Sequence, residues 1–150
     1  MSQRLKYLII AGRFNDMISR SLLEGAGGTF RDAGIPEGDV ETIWVPGAYE
    51  MPTVAAKAAG TGRYAAVICL GAVIRGDTPH FDYVAGQCAA GLMKVGVDTG
   101  VPVIFGVLTT NTVEEALNRA GLKHGNKGAD AAAAALSMAK TMQDLERGPS

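Results

Sequence analysis

Between positions 75 and 80 the chain places Arg75, Gly76, Asp77, Thr78, Pro79 and His80 in succession, directly after the apolar run CLGAVI. A guanidinium, the backbone amides around Gly76 and Asp77, and the Thr78 hydroxyl suit an anion such as phosphate. The His80 imidazole titrates near neutrality in water and can move a proton in either direction. Elsewhere, Phe14 in GRFND offers a flat face to an aromatic ring, and Glu50 in PGAYEMP can accept hydrogen bonds from sugar-like hydroxyls. Together these residue types favour a phosphorylated substrate, a planar heterocycle and proton transfer without a metal. His80 and His124, with Cys69 and Cys88, lack the spacing of a metal-ligand set.

Each of these residues also has a plainer reading. His80 could be a cap or a surface residue, and Phe14 could cover the edge of the core. Glu50, just before Met51 and Pro52, could serve only to favour a helix N-terminus through the macrodipole. Cys69 falls in an apolar run and reads as inert core; Cys88 falls on a helical pattern with no evident base beside it.

Four apolar runs must position these groups. Tyr7 to Ala11, Thr42 to Val45, Ala65 to Leu70 and Val103 to Leu108 read as buried strands. Helical patterns alternate with them: Asp16 to Ala33 with Asn15 as N-cap, Pro52 towards Gly60, Phe81 to Val97, Val113 to Ala120, and Lys127 to Leu145. Gly27 and Gly28 weaken the first helix, which suggests close packing there, and Ala131 to Ala135 make the last helix small on every side. The alternation predicts a three-layer α/β/α sandwich around a four-stranded parallel sheet, flavodoxin-like, in a single domain spanning residues 1–150. In such sheets ligands bind beyond the carboxyl ends of the strands, where GRFND, PGAYEMP, the segment from Arg75 to His80, and TTNT would all meet.

Composition narrows the class further. Hydrophobic residues make up 47% and charged ones 19%, which excludes a disordered chain and hints at self-association. A net charge of −1 gives no reason to expect nucleic acid or an anionic membrane as partner. Two thiols, and an N-terminal apolar run too short for a leader or a transmembrane helix, predict a cytoplasmic protein. No G-x-G-x-x-G follows the first strand and no P-loop is present, so a dinucleotide or P-loop fold is disfavoured.

The motifs GRFND (12–16), VPGAYEMP (45–52), LGAVIRGDTPHFDYV (70–84), VPVIFGVLTT (101–110), RAG (119–121) and GNKG (125–128) occur in one order along nearly the whole chain. In that order the sequence closely resembles the lumazine synthase family. The resemblance implies condensation of 5-amino-6-(D-ribitylamino)uracil with 3,4-dihydroxy-2-butanone 4-phosphate, giving 6,7-dimethyl-8-ribityllumazine, phosphate and water, with no cofactor. It implies that Phe14 stacks on the pyrimidine and that Ala48, Tyr49 and Glu50 line the ribityl side. Ala72, Val73 and Ile74 would hold the pyrimidine through backbone groups, and Phe105 would close the ring pocket from a neighbouring subunit. Asp77, Thr78 and Arg119, with Lys127 close by, would meet the phosphate-bearing substrate, and His80 would transfer protons. Departures from the family pattern are Asp77, whose carboxylate must face away from a phosphate, Glu115 where Gln is common, and His124 in place of a small residue.

The resemblance further implies a homo-oligomer with sites between adjacent subunits of a pentamer. The compact turn AGLKHGNKG is similar to that of members that close into 60-subunit shells, while other members stop at pentamers or decamers. Association with riboflavin synthase is a further implied partnership. The alternative is a carrier of the same fold that binds flavin or lumazine without turnover; an intact set of His80, Arg119 and Lys127 counts against it.

Overall fold

The computed structural model describes residues 4–76 and 80–148. Four strands form one sheet: β1 (Lys6–Gly12), β2 (Val40–Val45), β3 (Tyr64–Ile74) and β4 (Val103–Thr110). All pair in parallel, in the order β2-β1-β3-β4. Five helices cover the sheet: α1 (Asp16–Asp32), α2 (Met51–Ala59), α3 (His80–Thr99), α4 (Val113–Arg119) and α5 (Lys127–Arg147). Short 3-10 turns at Glu37–Asp39 and Ala48–Glu50 lead into β2 and α2. This is the expected three-layer, flavodoxin-like α/β/α sandwich.

The strands read as unbroken apolar runs because both faces are covered. Leu8, Ile10, Val67 and Cys69 join the core under α2 and α3, while Ile9, Ile68 and Leu70 join the core under α1, α4 and α5. On α1 the fourfold spacing of Ile18, Leu22, Ala26 and Phe30 holds, and all four are buried. Burying a side chain the size of Leu, Ile or Phe contributes about 1.5–3 kcal/mol.

Contacts within the chain account for part of the small-residue run of helix α5, whose Ala133 and Ala134 are exposed. Ala131, Ala132 and Ala135 are buried, and a Cβ on Gly128 would collide with the Leu22 carbonyl of α1. The close approach expected at Gly27 and Gly28 is not there, since each has only an Arg31 side chain nearby. Gly25 is the tight position, where a Cβ would overlap the Asn126 amide.

Two strands run further than expected. β3 continues to Ile74 and β4 to Thr110, because the two strands go on pairing as far as Ile74 with Thr110. Thr110 tolerates burial because its hydroxyl donates to the Thr112 carbonyl at 2.9 Å. Asn15 does precede α1, but it caps by conformation: it adopts a left-handed backbone (φ 60°), its side chain makes no cap bond, and its carbonyl accepts from Ile18 and Ser19.

Candidate active site

Strand order creates the first part of the site. In the order 2-1-3-4 the chain crosses from one side of β1 to the other, and the crevice beyond β1 and β3 is the switch point where such sheets bind ligands. The ladder between β1 and β3 ends at Ala11 with Leu70. Past Gly12 the chain leans towards β2, with the Arg13 and Phe14 amides donating to the Val45 and Pro46 carbonyls at 2.8 and 3.0 Å. β3 keeps going beside β4 only, so the β1-facing backbone of Ala72, Val73 and Ile74 borders the crevice. The buried Ser19 hydroxyl donates to the Gly12 carbonyl at 2.7 Å and fixes this turn to α1.

Phe14 and Glu50 meet at the crevice. A Cβ on Gly47 would lie 3.5 Å from Glu50 Oε1 and 3.9 Å from Phe14 Cβ, so the Glu50 carboxylate and the base of the Phe14 side chain both approach the Gly47 backbone. Phe14 is 76% exposed, which excludes the reading that it covers the core. Glu50 is also the N-cap residue of α2, so its carboxylate stands at the positive end of that helix as the plainer reading expects, although its side chain makes no capping bond. Beside them Ala48 is buried and Tyr49 is largely exposed.

Across the sheet, β3 delivers Ala72 buried and Val73 and Ile74 half-buried. His80 is the first residue of α3 and is exposed, so it sits at a helix start rather than in a loop. Asp77 and Thr78 lie outside the described residues. Arg75 departs from its expected part as anion holder. Its Nε donates to Asn111 Oδ1 at 3.0 Å, its Nη2 lies 3.7 Å from Asp82, and its guanidinium sits over the Phe81 ring.

The second part of the site lies at the free edge of β4. A cleft of about 370 Å³ is lined by Phe105, Thr109, Arg119, His124, Lys127 and Asp130, among others. Asn126 builds it: its Oδ1 accepts from the Gly128 and Ala129 amides at the start of α5, and its Nδ2 donates to the Ser21 and Ala120 carbonyls. One side chain thereby ties the N-terminus of α5, which carries Lys127, to α1 and to the residue after Arg119. Neither Arg119 nor Lys127 forms an ion pair among the described residues. Asp130 was not anticipated as a cleft residue, although its position three beyond Lys127 on a helix was a usable signal.

Phe105 and Phe14 stand at different levels of the sheet. Phe105 stands level with Cys69 and Ile10, two strands and about 10 Å across the sheet. Phe14, by contrast, lies beyond the end of β1.

A family model described as 6,7-dimethyl-8-ribityllumazine synthase matches residues 4–143 of the 150. The chain belongs to the lumazine synthase family. Membership places it among transferases of riboflavin biosynthesis and agrees with the flavodoxin-like sheet. The family match spans the crevice, the helix start at His80 and the β4 cleft alike. Both thiols are buried core groups, with burial raising Cys69 strongly and Cys88 to about 11, so neither is poised as a nucleophile. Among the described residues no helix is long and apolar enough to cross a membrane.

Proposed function

We propose that the protein condenses 5-amino-6-(D-ribitylamino)uracil with 3,4-dihydroxy-2-butanone 4-phosphate to 6,7-dimethyl-8-ribityllumazine, with release of phosphate. The observation that carries this reading is the division of the site within a chain of this family: an aromatic and carboxylate crevice at the switch point, and a cationic cleft at the β4 edge. The crevice suits the uracil. Phe14 stacks on its ring, the backbone of Ala72, Val73 and Ile74 bonds its polar edge, and Glu50 with Ala48 and Tyr49 receives the ribityl chain. The cleft suits the phosphate, with Arg119 and Lys127 as ligands. Asp77 and Thr78 keep their assignment to the phosphate-bearing substrate from the family resemblance alone.

The chemistry asks little covalent work of the protein. The substrate's own amine attacks the ketone, and water leaves as the imine forms. Phosphate leaves by elimination, and ring closure expels a second water. Each step moves protons, a task suited to His80, while the remaining acceleration comes from orientation.

The family resemblance has the site formed between adjacent copies. We place Phe105, with Arg119 and Lys127, across a subunit boundary from Phe14 and Glu50. An apolar groove of about 390 Å³ beside the same β4 edge, lined by Met93, Val97, Val103, Met138 and Met142, supports an association there. A pentamer is the assembly proposed, alone or as part of a decamer or 60-subunit shell.

The test is incubation with both substrates, following lumazine absorbance and phosphate release against the protein-free reaction. Matched acceleration of both signals supports the synthase. Tight binding of the pyrimidine without acceleration replaces it with the carrier reading.

A further inference from the structure

We infer that Arg75 is a positioning residue for His80, fixing the first turn of α3 against the end of β4, and is not an anion ligand. The inference rests on the reaction proposed above. The guanidinium has three neighbours of its own chain. Its Nε donates to Asn111 Oδ1 at 3.0 Å, its Nη2 faces Asp82 Oδ1 at 3.7 Å, and its carbon lies 4.5 Å from the Phe81 ring centroid. The Arg75 amide donates to the Thr110 carbonyl at 2.9 Å, so its backbone is fixed to β4 as well.

The partners on each side are themselves anchored. The Asn111 amide donates to Glu115 Oε2 at 3.2 Å, and the Glu115 amide donates to the Thr112 hydroxyl at 3.1 Å at the start of α4. On the other side, Phe81 and Asp82 directly follow His80 in the opening turn of α3. The first turn of a helix lacks half its backbone bonds and frays readily unless side chains hold it. Arg75 supplies that hold from β3, with a planar fork that bonds an amide and stacks on a ring at once, which an ammonium cannot reproduce. The Asp82 carboxylate beside it also offsets the charge an incoming phosphate would seek. Contacts this exposed stabilise the fold little. Their effect belongs in the alignment of His80.

The experiment uses the full-length assembled protein and steady-state kinetics with both substrates for wild type, Arg75→Lys, Asn111→Ala, His80→Ala and the Arg75→Lys/His80→Ala double variant. Expected is a loss of roughly tenfold in kcat for Arg75→Lys, with KM for the phosphate-bearing substrate within about twofold. Asn111→Ala, which removes no cation, lowers kcat in the same direction. In the His80→Ala background Arg75→Lys causes no further loss, because a group acting through His80 has nothing left to align. A raised KM for the phosphate-bearing substrate with kcat intact would make Arg75 an anion ligand and overturn the inference. So would a full additional loss in the double variant. Wild type without acceleration removes the proposed function and this inference with it, whereas an active wild type matched by Arg75→Lys removes the inference alone.

Discussion

At the N-terminal ends of the strands, charges are closed on one another. Arg4 pairs with Asp39 at 2.8 Å, Lys6 lies 3.2 Å from Glu41, and the Tyr64 hydroxyl donates to the same Glu41 at 2.7 Å. Beyond the C-terminal ends of the strands and along the outer edge of β4 the opposite holds. Glu50, Arg119 and Lys127 form no ion pair among the described residues, and Phe14 stands 76% exposed. Pairing at the base satisfies groups that the fold itself brings together. At the rim, charge and aromatic surface are left without such pairing, which the proposed function gives to a ligand and a second chain. Arg75 is the instructive exception, a rim cation that bonds Asn111, faces Asp82 and stacks on Phe81 of its own chain.

If the rim is for chemistry, its substitutions should change kinetics and leave stability alone. His80→Ala has the largest expected effect, about a hundredfold lower kcat with residual turnover, since general acid–base help is worth at least that much. Complete loss in a folded, ligand-binding variant would mean that His80 does more than shuttle protons. Arg119→Ala comes next, raising the apparent KM for the phosphate-bearing substrate roughly thirtyfold, from about 2 kcal/mol for a bond to a charged group. An unchanged KM there would remove Arg119 from the phosphate cleft. Phe14→Ala should weaken pyrimidine binding roughly fivefold, the equivalent of about 1 kcal/mol of ring contact, without moving the melting temperature. A lowered melting temperature would return Phe14 to the structural role its exposure argues against.

The same contrast explains what the amino-acid sequence disclosed. Strands buried on both faces announce themselves as apolar runs, so the sheet and its parallel sense could be read directly. The end of β4 was obscured because Thr109 and Thr110 look like loop residues, and only the partner strand and the Thr112 carbonyl make them strand. The place of Phe14, Glu50 and His80 at the rim was legible because each falls shortly after a strand in the chain. The engagement of Arg75 was not legible, since Asn111 lies 36 positions away and only the β3–β4 register brings the two together. Nor was the small space at Gly25, set by Asn126 from the far end of the chain.

The base offers the smallest effect and the sharpest control. The Glu41 carboxyl is held below its ordinary range, first by the Tyr64 hydroxyl and then by Lys6. A carboxylate with a lowered folded-state pKa contributes stability that is present above its unfolded value and lost as pH falls through the folded one. Tyr64 is raised, by burial first and then by its bond to Glu41, so its contribution is present below about pH 10 and fades as pH rises through the folded value. Tyr64→Phe removes the leading cause at Glu41 and leaves Lys6. The Glu41 carboxyl-carbon shift, followed by NMR across acid pH, should therefore titrate higher than in wild type, while still being drawn down by Lys6. The alkaline loss of stability due to Tyr64 should disappear, and kcat should equal that of wild type. Were kcat to fall with Glu41 titrating as before, the base of the sheet would be coupled to the chemistry, and the division between a closed end and an open end would fail.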